Sequence, residues 1–226
     1  MARQPKRWIV HPKAPDHHFL RLSHIDPLLV QLLWNRGITD PAAVDAFLSG
    51  ETRPDDPFRI KGMNEAVTRI RRAIRQGERM VVYGDFDADG VTATALLVQT
   101  LSALGGFVRP YIPHRVDEGY GLNINALAEL AREGQNLIIT VDCGIRSVEE
   151  VAFANRMGLD VIVTDHHSIG PQLPPALAAI NPKRPDCPYP FKGLAGVGLA
   201  YKLSQALLRS HAQTPIRNGL AVDLQE

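Results

Sequence analysis

Short, largely apolar runs at residues 80–83, 137–141 and 160–164, with a more mixed one at 107–112, alternate with stretches of helical spacing and constrain this 226-residue chain most. Brief, nearly continuous apolar runs describe strands buried on both faces, and the helices between them supply the cover. Crossovers of this kind are right-handed, so the strands' C-terminal ends share one edge of the sheet, where ligand sites form. The expected fold is therefore α/β, a mostly parallel sheet with helices on both faces. A shorter strand at 178–180 and a last helix over about 197–208 complete it.

Helix punctuation supports this reading. Asn64 is a candidate N-cap for a helix carrying Val67, Ile70, Ala73 and Ile74 at helical spacing, and Gly77 stands just past its end. Gly105-Gly106, Gly134 and Gly158 stop the later helices, and Ser147 is placed to cap the one it precedes. Residues 1–62 differ in character: they form a Pro-rich, small helical N-terminal segment ending in a turn-rich linker over 50–57. Asp26-Pro27 and Asp40-Pro41 each open a helix there, with Pro where its missing N–H costs least. The expected organisation is a helical preamble over 1–62, an α/β domain over 63–210 and a short tail over 211–226.

The composition, 45% hydrophobic and 22% charged, is that of a folded globular chain. No stretch approaches the roughly 18 apolar residues of a membrane span, and no signal-peptide core follows the basic start. Cys143 and Cys187 are too few for a disulfide framework, which points to a reducing cytoplasm. A net charge of +1 conceals an asymmetry: residues 1–80 carry 14 Lys/Arg against 9 Asp/Glu, and residues 81–226 carry 11 against 15. An acidic half loaded with divalent metal would lose its negative field, and the basic half could then face a polyanion.

Chemistry concentrates in Asp85-Phe86-Asp87-Ala88-Asp89-Gly90, between the strand at 80–83 and an apolar helical run. Three carboxylates with no basic residue among them repel, and burial raises the cost unless a multivalent cation sits between them. The run matches the first half of a calcium-binding EF-hand loop, but the twelfth position, which needs Glu, is Leu96, and a buried strand precedes the loop. Two other strands deliver polar groups to the same edge: the run at 137–141 is followed by Asp142-Cys143-Gly144, and that at 160–164 by Asp165-His166-His167. Carboxylate and imidazole together suit Mn²⁺, and less well Zn²⁺ or Mg²⁺. Two such ions about 3.5–4 Å apart suit in-line attack on a phosphoester.

Other candidates have plainer readings. Asp16-His17-His18 repeats the Asp-His-His triplet without a strand before it and is expected to be a surface turn. Cys143 reads as a small packed thiol and Cys187 as structural; His24, His114 and His211 belong to no cluster. In the polar loop 114–123, Arg115 offers a bidentate fork for phosphate and Tyr120 a face for a base to stack on, although a simple turn would use the same residues. Gly193-Leu194-Ala195-Gly196-Val197-Gly198 opens the last helix, where the amides of Gly196 and Gly198 could hold a phosphate or the glycines could serve close packing.

Taken together, residues 82–92, Glu118-Gly119-Tyr120-Gly121-Leu122, residues 140–145, Val163-Thr164-Asp165-His166-His167 and residues 194–198 resemble the DHH phosphoesterase superfamily, and within it the RecJ-type single-strand-specific exonucleases. The resemblance implies 5′-to-3′ exonuclease action on single-stranded DNA, dependent on Mn²⁺ or Mg²⁺, in DNA recombination and repair. It implies metal ligation by Asp85, Asp87, Asp142 and His166, with Asp89 a further candidate. His167 would lie by the scissile phosphate or the metal, and Arg115 would contact DNA phosphate. The family continues into a strand carrying another ligand aspartate and into later domains, so a chain stopping at Glu226 is expected to be an N-terminal portion with an incomplete metal shell. The rival readings are a hydrolase of short oligonucleotides or cyclic dinucleotides and a non-catalytic DNA-binding remnant.

Overall fold

The computed structural model describes residues 9–50, 55–114, 119 and 121–214. The chain divides into two compact units, Met1–Pro54 and Asp55–Glu226, so the division precedes the 62/63 boundary expected from composition. Ile60 and Met63 explain the placement: both are fully buried in the second unit's core.

The first unit holds α1 (Asp16–Arg21), α2 (Pro27–Asn35) and α3 (Pro41–Ser49). The Asp-Pro pairs work as expected, because Asp26 accepts the Leu28 N–H at 2.8 Å and Asp40 the Ala43 N–H at 3.0 Å. Leu22, Val30, Leu33 and Val44 form a small core. The surface turn expected at Asp16-His17-His18 is instead α1, with His18 buried edge-on to Trp34, ring centroids 4.9 Å apart. Burial against an aromatic partner 16 positions away, with the turn closed by the His18 N–H on the Pro15 carbonyl, is invisible in a three-residue pattern.

In the second unit, a 3-10 turn (Pro57–Arg59) leads into α4 (Met63–Gln76), β1 (Arg79–Tyr83), α5 (Ala88–Ala103), β2 (Phe107–Tyr111), α6 (Ile124–Arg132), β3 (Leu137–Val141), α7 (Val148–Arg156), β4 (Asp160–Thr164), β5 (Ala178–Ile180) and α8 (Gly196–Gln213). The five strands are ordered β2-β1-β3-β4-β5, and every pairing is parallel. Side chains alternate as the pleat requires. Met80, Val82, Leu137, Ile139 and Ile162 pack on one face against α4, α5 and α8. Val81, Tyr83, Ile138, Val161 and Val163 pack on the other against α6 and α7.

Strand order reverses between β1 and β3, since the chain moves outward to β2 and then returns past β1. Such a switch point opens a crevice at the strands' C-terminal ends, and the two loops meeting there carry Asp85 and Asp142 within two residues of the strand ends. Two helix starts differ from expectation. The N-cap of α4 is Gly62, not Asn64; Gly62 sits at φ +88 and lies against β5, where a Cβ would come 3.2 Å from the Ala179 carbonyl oxygen. Ser147 precedes α7 without a side-chain capping bond. Among the described residues, no helix is long and apolar enough to cross a membrane.

The entry to α5 is held by close backbone packing. A Cβ on Gly90 would fall 2.4 Å from the Asp85 carbonyl oxygen and 2.6 Å from its nitrogen. Backbone cannot give way as a flexible side chain can, so Gly90→Ala is expected to cost at least about 1–3 kcal/mol through overpacking. A thermal melt followed by circular dichroism checks this, and an unchanged Tm would contradict it.

Candidate metal centre

Each acidic group at the sheet edge is positioned by backbone. After β1, Asp85 is buried and its Oδ1 accepts the Phe86 N–H at 2.7 Å. Asp87 is the N-cap of α5, its Oδ1 accepting the N–H groups of Asp89 at 2.8 Å and Gly90 at 3.0 Å. The Gly90 bond, seconded by that from Asp89, holds the Asp87 carboxyl below the usual carboxylate range. Asp142 follows β3 with φ 62, and it is the non-glycine residue with a left-handed backbone among those described. Aspartate tolerates that conformation better than most side chains, and such positions cluster at functional sites.

Burial, and then the carboxylates of Asp89 and Asp87, push the Asp142 carboxyl from 3.8 up to about 7. His166 from the loop after β4 approaches it, with Nε2 3.0 Å from Asp142 Oδ1 and 3.6 Å from Asp89 Oδ2. The His167 ring lies 4.6 Å from that of His166, centroid to centroid. Buried Asp165 orients His167: its Oδ1 meets the ring Nδ1 at 2.7 Å and accepts the His167 N–H at 3.0 Å, while Oδ2 accepts the Ile145 N–H at 2.9 Å. A carboxylate on Nδ1 leaves Nε2 as the nitrogen carrying the lone pair in the neutral ring, the usual outer partner of a metal-binding imidazole.

Two groups of ligand atoms result. Asp85, Asp87 and Asp142 form one, and Asp142, His166 and His167 the other; within each, the ligand atoms lie within 4.8 Å of one another. Asp142 belongs to both. The donor set fits a divalent cation of the Mn²⁺ or Mg²⁺ type, and a carboxyl driven to about 7 by burial and then by neighbouring carboxylates is one that a cation would return to its charged form.

Asp89, a candidate ligand, has other partners. Its Oδ2 and Oδ1 accept the N–H groups of Gly196 and Val197, both at 2.7 Å, at the start of α8. This also corrects the expectation for Gly196, whose amide is engaged by Asp89 and not available for a phosphate. Gly196 serves instead as the place where α8 backs onto Asp142: a Cβ there would fall 2.7 Å from the Asp142 Cβ. Gly198 follows in the first turn of the same helix, against Leu194. Cys143 is fully buried, and burial pushes its thiol well above the ordinary value, as befits a packing residue. Arg115 and Tyr120 lie outside the described residues. Sequence reasoning gave Asp165 no positioning role. It also passed over Asn181, buried just after β5, whose Nδ2 donates to the His167 carbonyl at 2.9 Å. A buried asparagine directly following a short apolar run was the available signal.

A wholly parallel sheet with carboxylates and imidazoles converging at its switch point defines a class. Residues 79–222 match the family model described as "DHH family, N-terminal domain", and the chain belongs to that family. More particularly, it is similar to single-stranded-DNA-specific exonucleases named RecJ. It is 50% identical to that of Bacillus subtilis over 213 residues, covering 92% of this chain and 27% of the relative. It is 37% identical to that of Thermus thermophilus, covering 91% and 30%. Among solved structures, exonuclease RecJ bound to manganese aligns with TM-score 0.62 at 42% identity, covering 72% of this chain and 39% of the other. The Thermus thermophilus RecJ complex with Mn²⁺ aligns with TM-score 0.65 at 33% identity, covering 88% and 28%. The chain thus spans under a third of the length of these curated relatives.

Proposed function

We propose that this chain carries the metal centre of a cytoplasmic 5′-to-3′ exonuclease that degrades single-stranded DNA in recombination and repair, using Mn²⁺ or Mg²⁺. The observation that carries the reading is Asp142, shared between two sets of ligand atoms in a crevice at the sheet's switch point. The names of the similar exonucleases supply the substrate class.

Asp85, Asp87, Asp142 and His166 would hold the divalent ions. Bound divalent cations supply Lewis-acid stabilisation of a phosphoryl oxygen and lower the pKa of water. The chain's own groups do the rest. Asp87, kept ionised by its helix-capping bonds, retains its charge for binding. Asp165 holds the His167 ring at a fixed angle beside the cluster, so that His167 contacts the scissile phosphate. Arg115 adds a cation for the developing charge, and Tyr120 a stacking face for a base.

The test is 5′-labelled single-stranded DNA incubated with the chain and Mn²⁺, alongside Mn²⁺ titration by calorimetry. The expected result is release of short labelled products that chelator abolishes, with no cleavage of the matching duplex. Absence of both Mn²⁺ uptake and cleavage would overturn the reading.

A further inference from the structure

Two threonines interrupt the apolar ends of neighbouring central strands. Thr140 is the fourth residue of β3 and Thr164 the last of β4, which places Thr164 opposite Val141, and both are buried. A hydroxyl taken out of water is costly unless it finds a partner. Both find one in the backbone around Asp142. The Thr140 hydroxyl donates to the Cys143 carbonyl at 2.8 Å. The Thr164 hydroxyl donates to the Thr140 carbonyl at 2.8 Å, and the Thr164 carbonyl accepts the Asp142 N–H at 3.1 Å.

These bonds fix the chain just before Asp142 and just after it, where the backbone is left-handed at φ 62. A residue other than glycine keeps such a conformation only when its surroundings impose it. Gly144, at φ +102, makes room for the arrangement, because a Cβ there would come 3.0 Å from the Thr140 hydroxyl oxygen. Asp142 contributes to both groups of ligand atoms, so a change in its backbone angles would displace a ligand atom in each at once.

We infer that Thr140 is a positioning residue of the metal centre, with Thr164 as its support: their hydroxyls hold Asp142 in the left-handed conformation and so aim its carboxylate at the cations. The inference rests on the metal-dependent reading and extends it to two residues inside the strands. Satisfying a buried hydroxyl is the plainer use of such bonds, and Thr100 supplies the comparison. It is fully buried in α5, with its hydroxyl on the Leu96 carbonyl at 2.9 Å and on Ser204 Oγ at 3.0 Å. It stands about 16 Å along the helix from Asp89.

Calorimetric Mn²⁺ titration, with a metal-free melt of each variant beside it, tests the inference. Valine keeps the branched shape and removes the hydroxyl, whereas serine keeps the hydroxyl. Thr140→Val and Thr164→Val are expected to weaken Mn²⁺ binding about 10–100-fold, the range for residues that orient ligands, and Thr140→Ser to restore most of the loss. Thr100→Val is expected to lower the Tm and leave Mn²⁺ affinity unchanged. If Thr140→Val does not fold, Thr164→Val and Thr140→Ser decide. Unchanged Mn²⁺ affinity in the valine variants at 140 and 164, no recovery with serine, or an equal loss in Thr100→Val overturns the positioning role. No Mn²⁺ uptake by wild type overturns the metal-dependent reading and this inference with it, so the two failures are distinguishable.

Discussion

Asp142→Asn is expected to lower the rate of metal-dependent hydrolysis by on the order of 10³-fold, since several kcal/mol of charge stabilisation depend on ions held at this residue. Asparagine is the informative replacement because it tolerates the left-handed backbone that Asp142 adopts at φ 62, whereas alanine would add strain to the loss of charge. The same substitution should stabilise the metal-free chain at neutral pH. With its carboxyl raised from 3.8 to about 7, the folded state binds this proton more tightly than the unfolded state does. Metal-free stability therefore falls as pH rises from about 4 to about 7, and levels off above. One pKa unit is about 1.4 kcal/mol, so the penalty relieved by Asn at pH 8 reaches up to ~4 kcal/mol, several degrees in Tm. Mn²⁺ competes with that proton, so apparent Mn²⁺ affinity should climb over the same pH range in wild type and stay flatter in the variant. Melts and calorimetry at pH 5, 6, 7 and 8, with and without Mn²⁺, read all of this. A variant that cleaves normally, or melts lower than wild type without metal at pH 8, contradicts the role given to Asp142.

What could be read from the chain itself follows the range of the interactions involved. Strands such as 137–141 announce themselves because four of the five residues are apolar and the fifth is Thr140, a composition that suits a strand covered on both faces. The convergence of Asp85, Asp87, Asp142, His166 and His167 was legible for the same reason: parallel strands with right-handed crossovers send their C-terminal loops to one edge, whatever the spacing in the chain. Partners within one crevice were not legible. Asp89 reaches amides 107 and 108 positions later, and nothing in Asp-Ala-Asp-Gly distinguishes an aspartate that caps another helix from one that faces a cation. Gly196 reads equally as a phosphate-binding glycine or a packing glycine, and only its approach to Asp142 separates the two. His18 shows the opposite error, where a polar triplet hides a buried ring.

Removing the Asp89 carboxylate should therefore act through α8. Both oxygens accept N–H groups at the helix N-terminus at 2.7 Å, and charge-assisted bonds of this kind contribute about 1.5–3 kcal/mol each. Asp89→Ala leaves the two amides without that acceptor and loosens α8 where Gly196 backs onto Asp142. The expected result is a Tm lowered by roughly 5–10 °C and Mn²⁺ affinity weakened about 10–100-fold, the range found for residues that orient ligands without being ligands. Gly196→Ala reaches the same place by a different route: its Cβ would fall 2.7 Å from the Asp142 Cβ and 2.9 Å from its Cγ and Oδ1, displacing the carboxylate while removing no polar group. Comparable losses of Mn²⁺ affinity in the two variants mark Asp89 as a strut between α5 and α8. Were Asp89 a ligand, its replacement would weaken Mn²⁺ binding as severely as Asp142→Asn does, and by far more than Gly196→Ala. Calorimetric Mn²⁺ titration of the three variants side by side separates the alternatives, because a strut and a ligand rank them in different orders.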